Sequence, residues 1–420
     1  MSASRSLEDW LRVQETVHGQ GIDLGLARVR AVADRMGLLP FPARTIIVAG
    51  TNGKGSTVAC LETTLRALGI KAGAFTSPHL IRYNERIRVD GAEAADGELI
   101  AAFEAIDAAR GEITLTFFEY NALAALHVFR ARGVDVAVLE VGLGGRLDAV
   151  NIVDAEAAIV CSIGLDHADW LGTDIEAIGR EKAGVFRAGA IAVMADPSMT
   201  PSVEQEATRI GARPLVAARD YHWRLGVGTW DFTMTGLALT GLPPPGLSGR
   251  AQYANASACF ATLHAMGLLD ATHAAAASRA LRQLTLPGRF QIVPGRVEWI
   301  LDVAHNEPAA RVLAQNLADR PCAGRTICVA AILGDKDIAA VARQLADVVD
   351  QWFLCGIAAP RGLPAAELAA RSPVFAAAGL ADDIRAGMRQ AAQVAREGDR
   401  IVVCGSFLSV APALQQLGLY

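Results

Sequence analysis

Gly50-Thr51-Asn52-Gly53-Lys54-Gly55-Ser56 follows a short apolar run at 45–49. It opens a segment, 57–68, in which Val58, Leu61, Leu65 and Leu68 recur at helical spacing, with Gly69 at the place of a C-terminal cap. Backbone N–H groups in a Gly-rich strand–turn–helix, aided by the helix dipole, bind phosphate oxygens, and Lys54 adds a point charge. Ser56 and Thr57 offer hydroxyls to a phosphate or a magnesium ion. The common P-loop pattern is met imperfectly: Val48 stands where its first Gly belongs, and Gly55 separates Lys54 from Ser56. A Gly-rich turn that binds nothing is the plainer alternative.

Other residues with chemical potential lie at the ends of apolar runs. Glu140 comes late in the run 134–141, at the edge where open α/β sheets bind ligands. A buried carboxylate there needs a cation or hydrogen-bond donors, so it is either a metal ligand or a cap for the Gly142-Leu143-Gly144-Gly145 loop. His167 follows the run 157–163 and has the ordinary reading of a satisfied histidine. Asp302 ends a later run and either caps a helix expected from about Glu307 or meets a ligand. Asn255, on a helix after Gln252, has the plain reading of a solvent-facing residue. Lys182 falls late in a helix expected over 174–185, where a surface lysine or a salt bridge is the plain reading. Asp23-Leu24-Gly25-Leu26-Ala27-Arg28-Val29 reads as a loop entering a helix, with Asp23 as its N-cap. No Ser-His-Asp or Cys-His constellation stands out.

The elements that must position these residues alternate. Apolar strands at 45–49, 134–141, 157–163 and 190–195 are separated by helical patterns at 57–68, 118–132 and 174–185, which predicts a mostly parallel sheet covered on both faces. Segment 221–250, with Trp223, Leu225, Trp230 and Phe232 alternating, predicts a small β excursion before a helix from about Arg250. The Pro- and Gly-punctuated stretch Leu286 to Gly295 interrupts the rhythm. Strands at 299–303, 326–332, 351–357 and 400–404 then describe a smaller doubly wound domain. The expected organisation is a domain over 1–287, a linker at 288–296 and a second domain over 297–420.

Composition narrows the class. The 420 residues are 52% hydrophobic and 20% charged, which is globular, and the length favours two domains. Net charge is -5 with no basic block, which disfavours nucleic acid and leaves an anionic substrate to a local pocket. Seven scattered cysteines without a CxxC pair read as reduced thiols in a cytoplasmic protein. The polar stretch Met1 to Trp10, with Glu8 and Asp9, argues against a secretory signal, and no apolar run is long enough for a membrane span.

With its departure from the P-loop pattern, Gly50 to Ser56 resembles the ATP loop of the Mur ligase superfamily, specifically its folylpolyglutamate synthase branch. Further segments are similar to the family's in order over nearly the whole chain. They are Thr76-Ser77-Pro78-His79-Leu80, Phe118-Glu119-Tyr120, Leu139 to Asp148, Asp166-His167, Gly179 to Gly184, Leu286-Pro287-Gly288-Arg289 and Asp302-Val303-Ala304-His305-Asn306. The resemblance implies a P-loop-type ATPase domain with a mostly parallel sheet, plus a smaller Rossmann-like α/β C-terminal domain. It implies that L-glutamate is joined to dihydropteroate and to reduced folates through an acyl phosphate. ATP would be held by Thr51, Asn52, Gly53, Lys54, Gly55 and Ser56, with Asn255, Arg289 and Asp302. Ser77, Glu140 and His167 would hold one magnesium ion, although imidazole is an unusual magnesium ligand, and a carbamylated Lys182 a second. Carbamylation requires a neutral amine, so the lysine must titrate below its ordinary value of roughly 10.4. Lys54, Lys182 and His167 are then the residues that serve the chemistry. The family's pteroate site maps onto Asp23, Leu24, Gly25 and Leu26, onto Thr116, Phe117, Phe118 and Glu119, and onto Leu147, Asp148 and Ala149. The expected partners are small molecules alone, with no nucleic acid or membrane, acting on a monomer. Rival readings are a ligase of already glutamylated folates only, a Mur ligase of peptidoglycan synthesis, and a nucleotide switch that ligates nothing.

Overall fold

Short apolar runs buried on both faces build the first sheet of the computed structural model, which describes residues 5–420. Met1–Ser4, part of the polar stretch read as non-secretory, lie outside the described residues. The strands are β1 (Arg44–Ala49), β2 (Ala72–Phe75), β3 (Ile87–Val89), β4 (Ala92–Glu93), β5 (Val136–Glu140), β6 (Ala157–Val160), β7 (Ile191–Met194) and β8 (Arg213–Val216), in the order β4-β3-β2-β5-β1-β6-β7-β8. β2, β5, β1, β6, β7 and β8 run parallel. β3 and β4 add an antiparallel edge. Chain order leads from β1 to β2 on one side and from β5 across β1 to β6 on the other. The loop leaving β1 therefore sits where the winding reverses, the position at which open α/β sheets take ligands.

The helices of this part of the chain are α1 (Leu7–Thr16), α2 (Ala27–Arg35), α3 (Lys54–Ala67), α4 (Asp96–Arg110) and α5 (Phe117–Arg132), then α6 (Ala168–Leu171), α7 (Ile175–Ala183), α8 (Pro201–Ile210), α9 (Ala251–Ala265) and α10 (Ala274–Gln283). α3 starts at Lys54, three residues before the expected 57, because Gly53 takes the left-handed cap conformation (φ 89°) and turns the chain early. The expected β excursion is an antiparallel sheet of β9 (Tyr221–Leu225), β10 (Trp230–Met234) and β11 (Leu237–Leu242). Its inward Trp230 stacks on Phe260 of α9, with ring centroids 6.0 Å apart.

A second sheet follows, with β12 (Gln291–Val293), β13 (Glu298–Leu301), β14 (Thr326–Ala330), β15 (Gln351–Cys355), β16 (Gly379–Ala381) and β17 (Arg400–Cys404), in the order β12-β13-β17-β14-β15-β16. All but β12 are parallel. β12 pairs antiparallel with β13, so the stretch 288–296 expected as a linker contributes an edge strand, anchored by buried Phe290 and by Ile292. Packing divides the chain into two compact units. One contains residues up to 163 with 174–245 and 253–284; the other contains 164–173, 246–252 and 285–420. The two short detours were not visible as breaks in the sequence pattern. Seven free thiols are present, six of them buried, and no helix among the described residues is long and apolar enough to cross a membrane.

The close approach of β2 to α5 offers a check on packing. A Cβ on Gly73 would stand 2.8 Å from the ring of fully buried Phe129, whereas one on Gly97, in the first turn of α4, meets nothing within 4 Å. Gly73→Ala is expected to lower stability by about 1–3 kcal/mol, and Gly97→Ala to leave it equal or slightly higher. Denaturant unfolding of the two variants checks the ordering.

Candidate active site

Two glycines shape the loop after β1. Gly50 (φ 142°) lies where a Cβ would come within 3.0 Å of Cys161, and Gly53 lies where one would come within 3.1 Å of Asn255 Oδ1. Asn255, on α9, is therefore set directly against the loop. Thr51 N donates to Ser162 O at 2.8 Å, Asn52 N donates to Ser162 Oγ, and Ser162 Oγ donates back to Asn52 O, both at 3.1 Å. These bonds staple the loop to the segment leaving β6. Lys54 Nζ donates to Gly50 O at 2.9 Å and to Thr51 O at 3.1 Å, drawing the ammonium over the turn. Lys54, Gly55 and Ser56 occupy the first turn of α3, where backbone N–H groups have no carbonyl of their own helix to meet. Thr51 to Ser56 and Asn255 are thus brought together at one loop, with the first-turn N–H groups of α3 left for a ligand.

Glu140, at the end of β5, is nearly buried, and its Oε2 accepts from Ser77 N at 3.2 Å. The Gly142 loop is capped by Asp148, which takes Gly142 N and Leu143 N on Oδ2 and Val150 N on Oδ1. Burial pushes Asp148 up to about 6 against the opposing pull of these amides and of Lys54. Below the loop, burial pushes the Cys161 thiol up to about 11, and Lys54, Glu140 and Lys182 all act on it through their charges. Three of the expected functional residues therefore lie within electrostatic reach of one buried thiol. Lys182 is itself buried rather than at the surface. The last turn of α7 lies so close to the 142–148 loop that a Cβ on Gly145 would stand 2.8 Å from Lys182 O, and Arg146 N donates to Glu181 O at 3.0 Å.

The pieces read as an acceptor pocket also make contacts. Asp23 does not cap α2, whose N-cap is Leu26 with no side-chain bond; the Arg28 guanidinium takes the Asp23 carboxylate instead. Leu24, Gly25 and Leu147 are half-buried, and Ala149 is buried. Thr116 caps α5 and Glu119 returns a bond to Thr116 N. Phe118 packs against Gly142, where a Cβ would come within 2.6 Å, and Phe117 meets Tyr83 edge to face at 6.2 Å.

His167, Arg289 and Asp302 belong to the second unit. Asp302, at the end of β13, accepts from Phe290 N and Ala304 N, each at 2.8 Å, and the helix from Glu307 is capped by Asn306 instead. Burial raises the Asp302 carboxyl despite the Arg289 charge, and the Arg289 guanidinium lies 5.0 Å over the Phe407 ring. His167 sits in the left-handed region (φ 52°) at the start of α6. Its neighbour Asp166 meets Lys336 Nζ at 2.5 Å, Asn306 Nδ2 at 2.9 Å and His305 Nε2 at 3.4 Å. Burial alone would raise Asp166, but the bond from His305 and the charges of His167 and Lys336 outweigh it and hold the carboxyl far below the usual range. Ser162 and Lys336 escaped the sequence reading. Ser162 carries no motif signal, and Lys336 lies 170 residues from its partner.

Ser77 and Glu140 supply the hard oxygen donors that magnesium prefers. Among the described residues no three His, Cys, Asp or Glu side chains gather closely enough to hold a metal by themselves.

Residues 48–218 match the Mur ligase middle domain, and residues 288–407 the Mur ligase glutamate ligase domain. The dihydrofolate synthase/folylpolyglutamate synthase of Escherichia coli K12 is 42% identical over 415 residues, covering 98% of this chain and 96% of its own. Among solved structures, E. coli FolC in complex with DHPP and ADP superposes with a TM-score of 0.94 at 41% identity, covering 100% of this chain and 99% of its own. A bifunctional folylpolyglutamate synthase/dihydrofolate synthase with Mn, AMPPNP and L-glutamate bound gives 0.92 at 42% identity, with 100% of both chains covered.

Ser162 provides a test of the staple. Ser162→Ala removes the hydroxyl that ties Asn52 from both sides, and ATP affinity is expected to fall about five- to tenfold with unchanged unfolding temperature. Calorimetric titration of ATP into both proteins measures it.

Proposed function

We infer that this chain, which belongs to the Mur ligase family and within it to the dihydrofolate synthase/folylpolyglutamate synthase branch, joins L-glutamate to dihydropteroate and to reduced folates with ATP. It is an ATP-dependent acid–amino-acid ligase that uses a divalent metal ion. The observation that carries this reading is the stapled phosphate loop beside Ser77, Glu140 and buried Lys182, in a chain 42% identical over nearly its full length to a bifunctional relative. Relatives crystallised with DHPP and ADP, and with Mn, AMPPNP and L-glutamate, support the same substrates here. We place the enzyme in the cytoplasm, where its thiols stay reduced.

The chemistry follows from what the residues supply. Lys54 and the loop amides bind and orient the phosphates, and Asn255, Arg289 and Asp302 hold the rest of the nucleotide. Ser77, Glu140 and His167 would hold one magnesium ion and a carbamylated Lys182 a second, and the metal would supply neutralisation of phosphate charge. The substrate carboxylate attacks the γ-phosphorus in line, ADP leaves, and an acyl phosphate forms, chiefly through positioning and charge neutralisation. The neutral amine of glutamate then attacks the acyl carbon, and the tetrahedral intermediate expels phosphate to leave an amide. Carbon dioxide adds only to a neutral amine, a form that burial favours, and Lys182 is buried. Aromatic Phe117 and Phe118, with Asp23 to Leu26 and the 147–149 segment, form the acceptor pocket in this reading.

Incubation with ATP, glutamate and either dihydropteroate or tetrahydrofolate, with products identified by mass, tests the function. Both acceptors should gain glutamate, and absence of any dihydropteroate product would remove the dihydrofolate synthase half. Lys54→Ala is expected to lower turnover about 10²–10³-fold while the fold persists, and wild-type amide formation in that variant would end the phosphate-loop assignment. Lys182→Ala should be nearly inactive and partly restored by a small added carboxylate such as acetate. Restoration by an added amine instead would show that the lysine acts as an ammonium.

A further inference from the structure

The segment between α1 and α2, residues 17–26, forms neither helix nor strand and carries Gly19, Gly21 and Gly25, each with open space around an added Cβ. Chain entropy alone would leave such a segment loose. It is nevertheless tied at two points to the chain entering α5. Arg28 Nη1 donates to Asp23 Oδ2 at 2.5 Å, and its Nη2 donates to Asp23 O at 2.8 Å and lies 3.3 Å from Glu119 Oε1. His18 bridges independently, with Nε2 3.2 Å from Asp23 Oδ2 and Nδ1 2.9 Å from Thr114 Oγ1. Glu119 is 3% exposed; its Oε2 is taken by Thr116 N, while buried Oε1 accepts no hydrogen bond among the described residues and faces the Arg28 charge at 3.3 Å. Both side-chain contacts to Asp23 fall on Oδ2, no described residue bonds Oδ1, and the side chain is 35% exposed.

We propose that Arg28 and His18 form a clasp that fixes the 17–26 segment against 114–119 and holds Asp23 Oδ1 ready for the N–H donors of a bicyclic aromatic acceptor. Both are positioning residues, and the proposal rests on the acceptor-pocket reading of Asp23 and of 116–119. Preorganising a Gly-rich segment removes ordering cost from ligand binding, so the clasp acts on acceptor affinity and not on phosphoryl transfer. An acceptor without a glutamyl tail draws more of its affinity from the ring than one that carries a tail. Loosening the clasp therefore penalises dihydropteroate more than tetrahydrofolate, which makes Arg28 a determinant of acceptor choice.

Arg28→Gln and His18→Gln are compared with the wild type for KM and kcat toward dihydropteroate, tetrahydrofolate and ATP, with unfolding temperatures alongside. Arg28→Gln should raise the dihydropteroate KM about tenfold or more, as expected for a lost charge-assisted bond, with a smaller rise for tetrahydrofolate. The ATP KM and saturated kcat should stay within about twofold, since the phosphate loop shares none of these bonds. His18→Gln should raise the dihydropteroate KM in the same direction by less, and it carries the test if Arg28→Gln does not fold. Unchanged acceptor KM values, or parallel losses for ATP and both acceptors, overturn the clasp. Failure of the wild type on dihydropteroate sinks the bifunctional reading instead, and the clasp is then decided by whether Arg28→Gln raises the tetrahydrofolate KM.

Discussion

An anion-binding loop must hold its backbone N–H groups outward without satisfying them itself, and the rest of the site depends on how this chain meets that demand. Gly50 and Gly53 adopt positive φ with no Cβ to collide with Cys161 or Asn255. The loop carbonyls are drawn to the Lys54 ammonium, while the N–H groups of Thr51 and Asn52 are consumed by Ser162. What remains for a ligand is the first turn of α3, with the helix dipole behind it. Because β1 lies between β5 and β6, the same turn is flanked by the end of β5, which carries Glu140, and the exit of β6, which carries Cys161 and Ser162.

Charge is arranged around that cradle as a local mixture inside a chain of mild net acidity. Lys54, Glu140 and Lys182 all bear on Cys161, a thiol too deeply buried to ionise near neutral pH. A carboxylate so close to a phosphate loop repels the phosphate unless a cation stands between them. A second ammonium there would repel that cation in turn. The proposed conversion of the buried Lys182 amine into a carbamate anion would resolve both conflicts, which no arginine at that position could do, since guanidinium stays protonated.

How much of this was legible in the sequence follows the range of each interaction. The Gly-rich loop, the apolar strands and the position of Lys182 late in its helix are local patterns, and the structure places each of them within a few residues of expectation. Where a side chain has competing partners outside its own helix turn, local rules misled. Asp23 has the type and place of an N-cap, yet Arg28 claims its carboxylate. Asp302 precedes a helix that Asn306 caps, and Asp148 closes the glycine loop. In each case capping rules supplied a plausible acceptor, and a nearby side chain or loop competed for it successfully. Segment 288–296 had linker composition, but Ile292 and buried Phe290 drew it into an edge strand.

The pairing of Asp166 with Lys336 shows what such long-range choices accomplish. An ion pair with exposures of 10% and 7% is not an efficient source of stability, because desolvating both charges offsets most of their attraction, and an apolar pair of similar volume would hold the chain as well. It does something an apolar pair cannot. Lys336 takes Oδ1 while Asn306 and His305 share Oδ2 of one carboxylate, which sets the direction of the backbone at Asp166. The next residue, His167, sits in a left-handed conformation that a residue with a Cβ adopts only when its surroundings over-determine it. Directional bonds at Asp166 supply that constraint, so the buried charges there are better understood as fixing where His167 points than as holding the unit together.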